Sequence, residues 1–230
     1  MSDLLSAFSV LDFCAVAFVV VSWLGVGLRI EHPGSRKPSV TVMMAAYRRE
    51  WMQMFAERDV RIFDAQILAS LRQGTAFFAS SSILAIGGLL ALMGRPDQIS
   101  GIAMAFSQTS PPAVIFQTKL ALAVAFVVMA FLKFVWANRL FGYCAVIMAA
   151  VPNDPNAPNS NGRAGLAAEI NIRAAMNFNR GLRSMYFALA SLVWLVGPIG
   201  LIVATSAAVW TLWSREFSSL SQKLLEDHNT

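Results

Sequence analysis

Residues 113–136 read AVIFQTKLALAVAFVVMAFLKFVW, an apolar run whose only charges, Lys119 and Lys133, lie near its two ends. A helix crosses the hydrocarbon core of a bilayer, about 30 Å thick, in roughly 20 residues. Three further runs meet that requirement: Leu4–Leu28, interrupted by the single charge Asp12, then Thr75–Met93 and Met185–Trp210. Within hydrocarbon each backbone N–H and C=O must be satisfied inside the segment, so runs of this kind form helices. The expected fold class is therefore all-α: a polytopic membrane protein with four transmembrane helices.

Composition agrees. The chain is 57% hydrophobic and 13% charged, whereas about a quarter of the residues of a soluble domain are charged. Its mean hydropathy is +0.57. The net charge of +5 does not point to nucleic acid, because the basic residues cluster beside the apolar runs, where membrane topology alone places them. Cys14 and Cys144 have neither C-x-x-C spacing nor a histidine cluster, which argues against a disulfide framework or a zinc site. Asp3 stands where a signal peptide would be basic, and Leu4–Leu28 is too long for its apolar core, so this run reads as a retained helix.

Arginine and lysine counts in short loops set orientation. Residues 29–72 hold eight of them and 139–183 five, against only Arg95 in the second connection and Arg215 and Lys223 in the tail. Both basic connections, 29–74 and 137–184, are expected in the cytoplasm, with both termini on the outer side. They also look helical. Met44, Tyr47, Trp51 and Met54 or Phe55 recur at helical spacing; this stripe suits either a helix lying among lipid headgroups or one packed on other cytoplasmic helices. Asp59 is placed to cap a second helix that carries Val60, Phe63 and Ile67 and runs into the second span. The third span continues past Asn138 and Arg139 with no breaker before Pro152. After the loop Pro152–Gly165, Glu169, Arg173, Asn177 and Arg180 share one helical face. The expected cytoplasmic helical segments are 39–72, 137–151 and 166–184, all within one membrane domain, 1–215, followed by a polar, frayed tail, 216–230. Gly197, Pro198 and Gly200 predict a kink in the fourth span. Residues 95–112 contain a run, Ile99–Phe106, too short to span.

Two groups of residues are candidates for function. Asp12 within a span costs roughly 2.5–3.5 kcal/mol at a helix centre and calls for a partner; Lys119 falls at a similar depth. The pair reads either as an ion or proton site or as a buried structural pair. Lys133, Asn138, Arg139, Arg173, Asn177, Arg180 and Arg183 read either as a vestibule for an anion or a lipid phosphate, or as positive-inside residues paired with Glu57, Asp59, Asp64 and Glu169. Gly200, Ala204 and Ala208, and Gly87 with Ala91, mark close helix contacts. His32 and His228 lack metal-ligand spacing, and no P-loop, G-x-S-x-G or H-E-x-x-H motif occurs. No catalytic residue, cofactor or metal is expected.

Several stretches together resemble a known family: His32-Pro33, RREWM at 48–52, RDVRIFD at 58–64, Phe77–Ser80 followed by Ile86-Gly87-Gly88, Lys133 with Trp136, Arg139 and Tyr143, and Asn179–Arg183 with Tyr186-Phe187. Their order over Arg29–Pro198 is similar to that in integral membrane proteins of bacteria and plants catalogued as domain of unknown function 599, although Gly142 stands where that pattern has asparagine. The resemblance implies a four-helix membrane protein and supplies no activity; with the arginine and lysine count, the expected location is the bacterial inner (plasma) membrane with periplasmic termini. The expected partners are the bilayer, anionic lipid included, and further copies of the chain or a membrane complex. The leading expectation is a homo-oligomer that binds or transports a small ion or solute; the alternatives are a non-transporting accessory or assembly subunit and, third, a lipid-modifying enzyme.

Overall fold

The computed structural model describes residues 8–32, 37–95, 113–154 and 156–228. Among them the chain forms seven α-helices, one 3-10 turn and no strand. The helices are α1 (Val10–Glu31), α2 (Val40–Glu57), α3 (Ile62–Met93), α4 (Ala113–Ala149), α5 (Ser160–Leu192), α6 (Pro198–Phe217) and α7 (Leu220–His228). Of these, α1, α3 and α4 are long and apolar enough to cross a membrane. The run Ile99–Phe106, the start of the first span before Phe8, and Pro33 of the His-Pro pair lie outside the described residues.

The second span and the helix expected before it form one element, the 32-residue α3. The third span and its extension likewise form the 37-residue α4. At 1.5 Å per residue these helices are about 48 and 55 Å long, well beyond a hydrocarbon core of about 30 Å. Asp59 does not begin α3; the helix starts later, at Ile62, with the Arg61 carbonyl accepting from the Ala65 N–H at 3.1 Å.

The fourth run is broken rather than kinked. Helix α5 ends at Leu192, Val193–Leu195 forms a 3-10 turn, and Gly197 adopts φ +144°, a value that L side chains rarely reach. Pro198, with its fixed φ and missing N–H, is the first residue of α6. The apolar residues of 185–210 are thus divided between two helices.

Contacts divide the chain into two compact units. The first contains residues 1–29, 81–130 and 182–215. Its interior is rich in small side chains, among them Ala15, Ala123, Ala130, Ala188 and Ala208, and Phe126 packs on Trp23 at 5.7 Å and Phe187 at 6.0 Å. Large apolar side chains face outward: Leu84 is 76% exposed and Trp210 74%. Small residues inside and large ones outside are what close helix packing in an apolar solvent produces. On α6, Ala208 is buried, and a Cβ at Gly200 would lie 3.1 Å from the Val193 carbonyl, so this ladder packs within the unit. Gly87 and Ala91 are exposed instead, with nothing within 4 Å of a Cβ at Gly87.

The second unit contains residues 30–80, 131–181 and 216–230. Its core joins Met52, Phe55 and Ala56 of α2 to Leu140, Phe141, Cys144 and Met148 of α4 and to Ala164, Ala167 and Ala168 of α5. Helix α2 therefore packs on other helices. The buried stripe, Met43, Met52, Phe55 and Ala56, is rotated from the expected one, and Met44 and Met54 are exposed. Ser39 caps α2, its Oγ accepting from the Val42 N–H at 3.2 Å and donating to the Ile30 carbonyl at 2.6 Å. The described part of the tail, residues 216–228, is not frayed. Phe217 and Gln222 are buried, Leu220–His228 is helical, and α7 touches α2.

Candidate functional site

Asp12 lies in the first turn of α1. Ser9 and Asp12 cap this helix reciprocally: the Ser9 Oγ accepts from the Asp12 N–H at 3.2 Å, while Asp12 Oδ2 accepts from the Ser9 N–H at 3.0 Å and the Ser9 hydroxyl at 2.6 Å. Its other oxygen, Oδ1, accepts from the Trp194 indole at 2.7 Å. The break between α5 and α6 sets this geometry, because Trp194 belongs to the 3-10 turn. Lys119 Nζ lies 5.7 Å from the centroid of the same indole, within cation–π range. No ion pair within 4.0 Å joins Asp12 to Lys119 among the described residues. Trp194 contacts both and links them. No spacing rule would have found it, since Trp194 is 182 residues from Asp12.

The residues expected to form a basic vestibule have separate engagements. Arg180 forms a forked contact with Glu31, Nε to Oε1 at 2.9 Å, and the hydrogen bonds to Glu31, then its charge, raise the guanidinium above its ordinary value. Arg139 is exposed and donates to the hydroxyl of Tyr143 on its own helix. Asn177 donates to the Arg173 carbonyl at 2.9 Å, and Arg173 is exposed. Lys133 and Asn138 are half-buried, and Asn138 Oδ1 is buried without a hydrogen bond. Arg183 belongs to the first unit, where it is buried. Glu169, placed on the same face as Arg173, pairs instead with Arg49 at 2.7 Å.

Residues of RREWM and RDVRIFD fold onto each other. Asp64 is fully buried; its Oδ1 accepts from the Trp51 indole at 2.6 Å and from Arg58 at 2.7 Å. Arg61 donates to the carbonyls of Val151 and Pro152, both at 2.7 Å, and covers the Phe55 ring at 4.6 Å. These residues act as a clasp between α2, α3 and the end of α4.

Arg48, the first residue of RREWM, has a different setting. It lines a cavity of about 330 Å³ in the second unit, at the lower end of the range for small-molecule sites. Met44, Leu71, Phe141, Met176 and Phe178 supply most of its wall, and Thr41, Asn179 and Glu216 supply polar groups. Glu216 accepts from the Thr41 N–H at 3.0 Å and the Thr41 hydroxyl at 2.9 Å, at the N-terminal turn of α2, where a carboxylate is favoured. Arg48 donates to Asn171 Oδ1, and the Asn171 amide in turn donates to Cys144 Sγ at 3.6 Å. Burial pulls the Arg48 guanidinium below its ordinary value. The sequence did not single this site out: Arg48 is one of eight basic residues between 29 and 72, and its partner Asn171 lies 123 residues away.

Fold and sites together define an all-helical protein with membrane-type apolar helices. Among its described residues, no group of histidine, cysteine and carboxylate side chains is suited to hold a metal. The chain belongs to the family described as protein of unknown function, DUF599, whose model matches residues 14–221. No curated protein and no solved structure matches it.

Proposed function

We propose that this chain is a four-span protein of the bacterial inner membrane, with both termini periplasmic and connections 29–74 and 137–184 cytoplasmic, and that it binds a small solute as a homo-oligomer. The observation that carries solute binding is the cavity of the second unit, apolar over most of its wall with a few polar groups. In this reading the solute goes to that cavity and not to Asp12, whose oxygens are held by Ser9 and Trp194. Asp12, Trp194 and Lys119 are instead a polar brace of the first unit.

Purification in native-lipid particles followed by mass spectrometry tests the proposal. Wild type is expected to retain a small molecule that Ala45→Phe, which fills the cavity, no longer holds. A particle with no small molecule but a stoichiometric second polypeptide would favour an accessory subunit instead.

Self-association is supported by the exposed Gly87 and Ala91 on α3, a small-x-x-x-small pair with open space around it. Gly87→Leu with Ala91→Leu is expected to weaken association about tenfold, as read by light scattering over a dilution series. An unchanged oligomer would assign the contact to another face.

A further inference from the structure

We infer that the cavity of the second unit binds an anionic amphiphile, its phosphate or carboxylate head on Arg48 and its apolar tail among Leu71, Phe141 and Phe178. This rests on the cavity being a solute site and adds the chemical class of the solute.

The charge of Arg48 identifies the head. A guanidinium carries five N–H donors in a fork that matches carboxylate and phosphate oxygens two at a time. Arg48 uses it on one neutral acceptor, Asn171 Oδ1, and no carboxylate lies within 4.0 Å of it among the described residues. Half-buried charges of this kind are ordinarily paired. The other half-buried arginines described in the unit contrast with it: Arg180 has Glu31 and Arg61 has four backbone carbonyls, while Arg72, Arg139, Arg163 and Arg173 are exposed to solvent. Asn171, fully buried and tied to Cys144, fixes the guanidinium at the cavity wall.

The rest of the wall identifies the tail and its direction. Apolar side chains dominate, so a bare inorganic anion would leave most of the cavity unused. The one acidic group, Glu216, is held at Thr41, seven residues and about 10 Å along α2 from Arg48. Anionic and cationic ends of the cavity are thus separated, and the head goes to the Arg48 end. At about 330 Å³ the space suits a single short chain and not a two-chain phospholipid.

The test is calorimetry on the full-length protein in neutral-lipid nanodiscs with three probes: octyl phosphate, inorganic phosphate and octyl glucoside. Octyl phosphate is expected to bind most tightly. Arg48→Gln should weaken it about 10- to 100-fold, Arg48→Lys less, and neither should alter octyl glucoside binding. Ala45→Phe, which leaves the guanidinium in place, should abolish octyl phosphate binding and keeps the test open if Arg48→Gln fails to fold. Inorganic phosphate binding as tightly as octyl phosphate would remove the tail from the inference. Unchanged octyl phosphate affinity in Arg48→Gln would remove the head. Equal affinity for octyl glucoside and octyl phosphate would overturn the anionic class and leave the cavity as a solute site. Binding of no probe would overturn both.

Discussion

Gly181→Ala is expected to lower the thermal unfolding temperature of the purified protein, although the same exchange on an open helix surface would raise it. In a helix interior alanine is favoured over glycine by about 1 kcal/mol. Here a Cβ would stand 2.5 Å from Cε1 of Phe134 and 2.8 Å from its Cδ1. Phe134 cannot yield. It is fully buried and stacks with Phe78 at 5.4 Å and Phe178 at 5.5 Å, so moving its ring disturbs a three-ring cluster drawn from α3, α4 and α5. Overpacking of this kind costs roughly 1–3 kcal/mol, which exceeds the propensity gain. Gly181→Val should be worse than Gly181→Ala, and Gly181→Ala with Phe134→Leu should recover much of the loss. A thermal scan in which Gly181→Ala is as stable as wild type would mean that the helices are not held this close.

Arg58→Met should destabilise the second unit by about 3 kcal/mol, at the lower end of the range for breaking a buried ion pair. The lower end applies because the Arg58 side chain is 43% exposed while that of Asp64 is fully buried. Removing the guanidinium leaves a carboxylate whose remaining hydrogen bond comes from Trp51, and its Oδ2 already has no partner. The cost comes from the uncompensated buried charge and not from loss of surface packing. Two comparisons separate these causes. Asp64→Asn added to Arg58→Met should restore part of the stability, whereas Asp64→Asn alone should destabilise. If the double variant is no more stable than Arg58→Met, charge burial is not the source.

How legible the molecule was in its sequence differs between levels. Helix existence was read from run length and apolarity, and α1, α3 and α4 appear within a few residues of the expected ends wherever the chain is described. Continuity of α3 and α4 past their apolar runs followed from the absence of a proline. The fourth run was harder. Gly197, Pro198 and Gly200 flagged a distortion, but a kink and a break share those residues, and only the φ of Gly197 and the 3-10 turn before it separate the two. The setting of Asp12 was also hard to read: a charge inside an apolar run calls for a partner, and only the contacts with Ser9 mark it as a capping residue at a helix start. S-x-x-D is a weak local signal and the apolar run concealed it.

The sequence by itself determined that this chain is helical and that its apolar runs suit a bilayer, because both are properties of consecutive residues: length, apolarity and the spacing of charges. Only the tertiary structure decided which polar groups meet. Trp194 on Asp12, Asn171 under Arg48 and Glu216 on Thr41 join positions 182, 123 and 175 residues apart. The physical reason lies in the helices that bring them together. Where a helix is apolar on nearly every side, as along much of α3 and α4, periodicity does not mark its inward face, and the meeting of faces is set by side-chain shape across the interface. That is also why Arg48, one basic residue among eight between 29 and 72, became distinct only once Asn171 and the cavity were placed beside it.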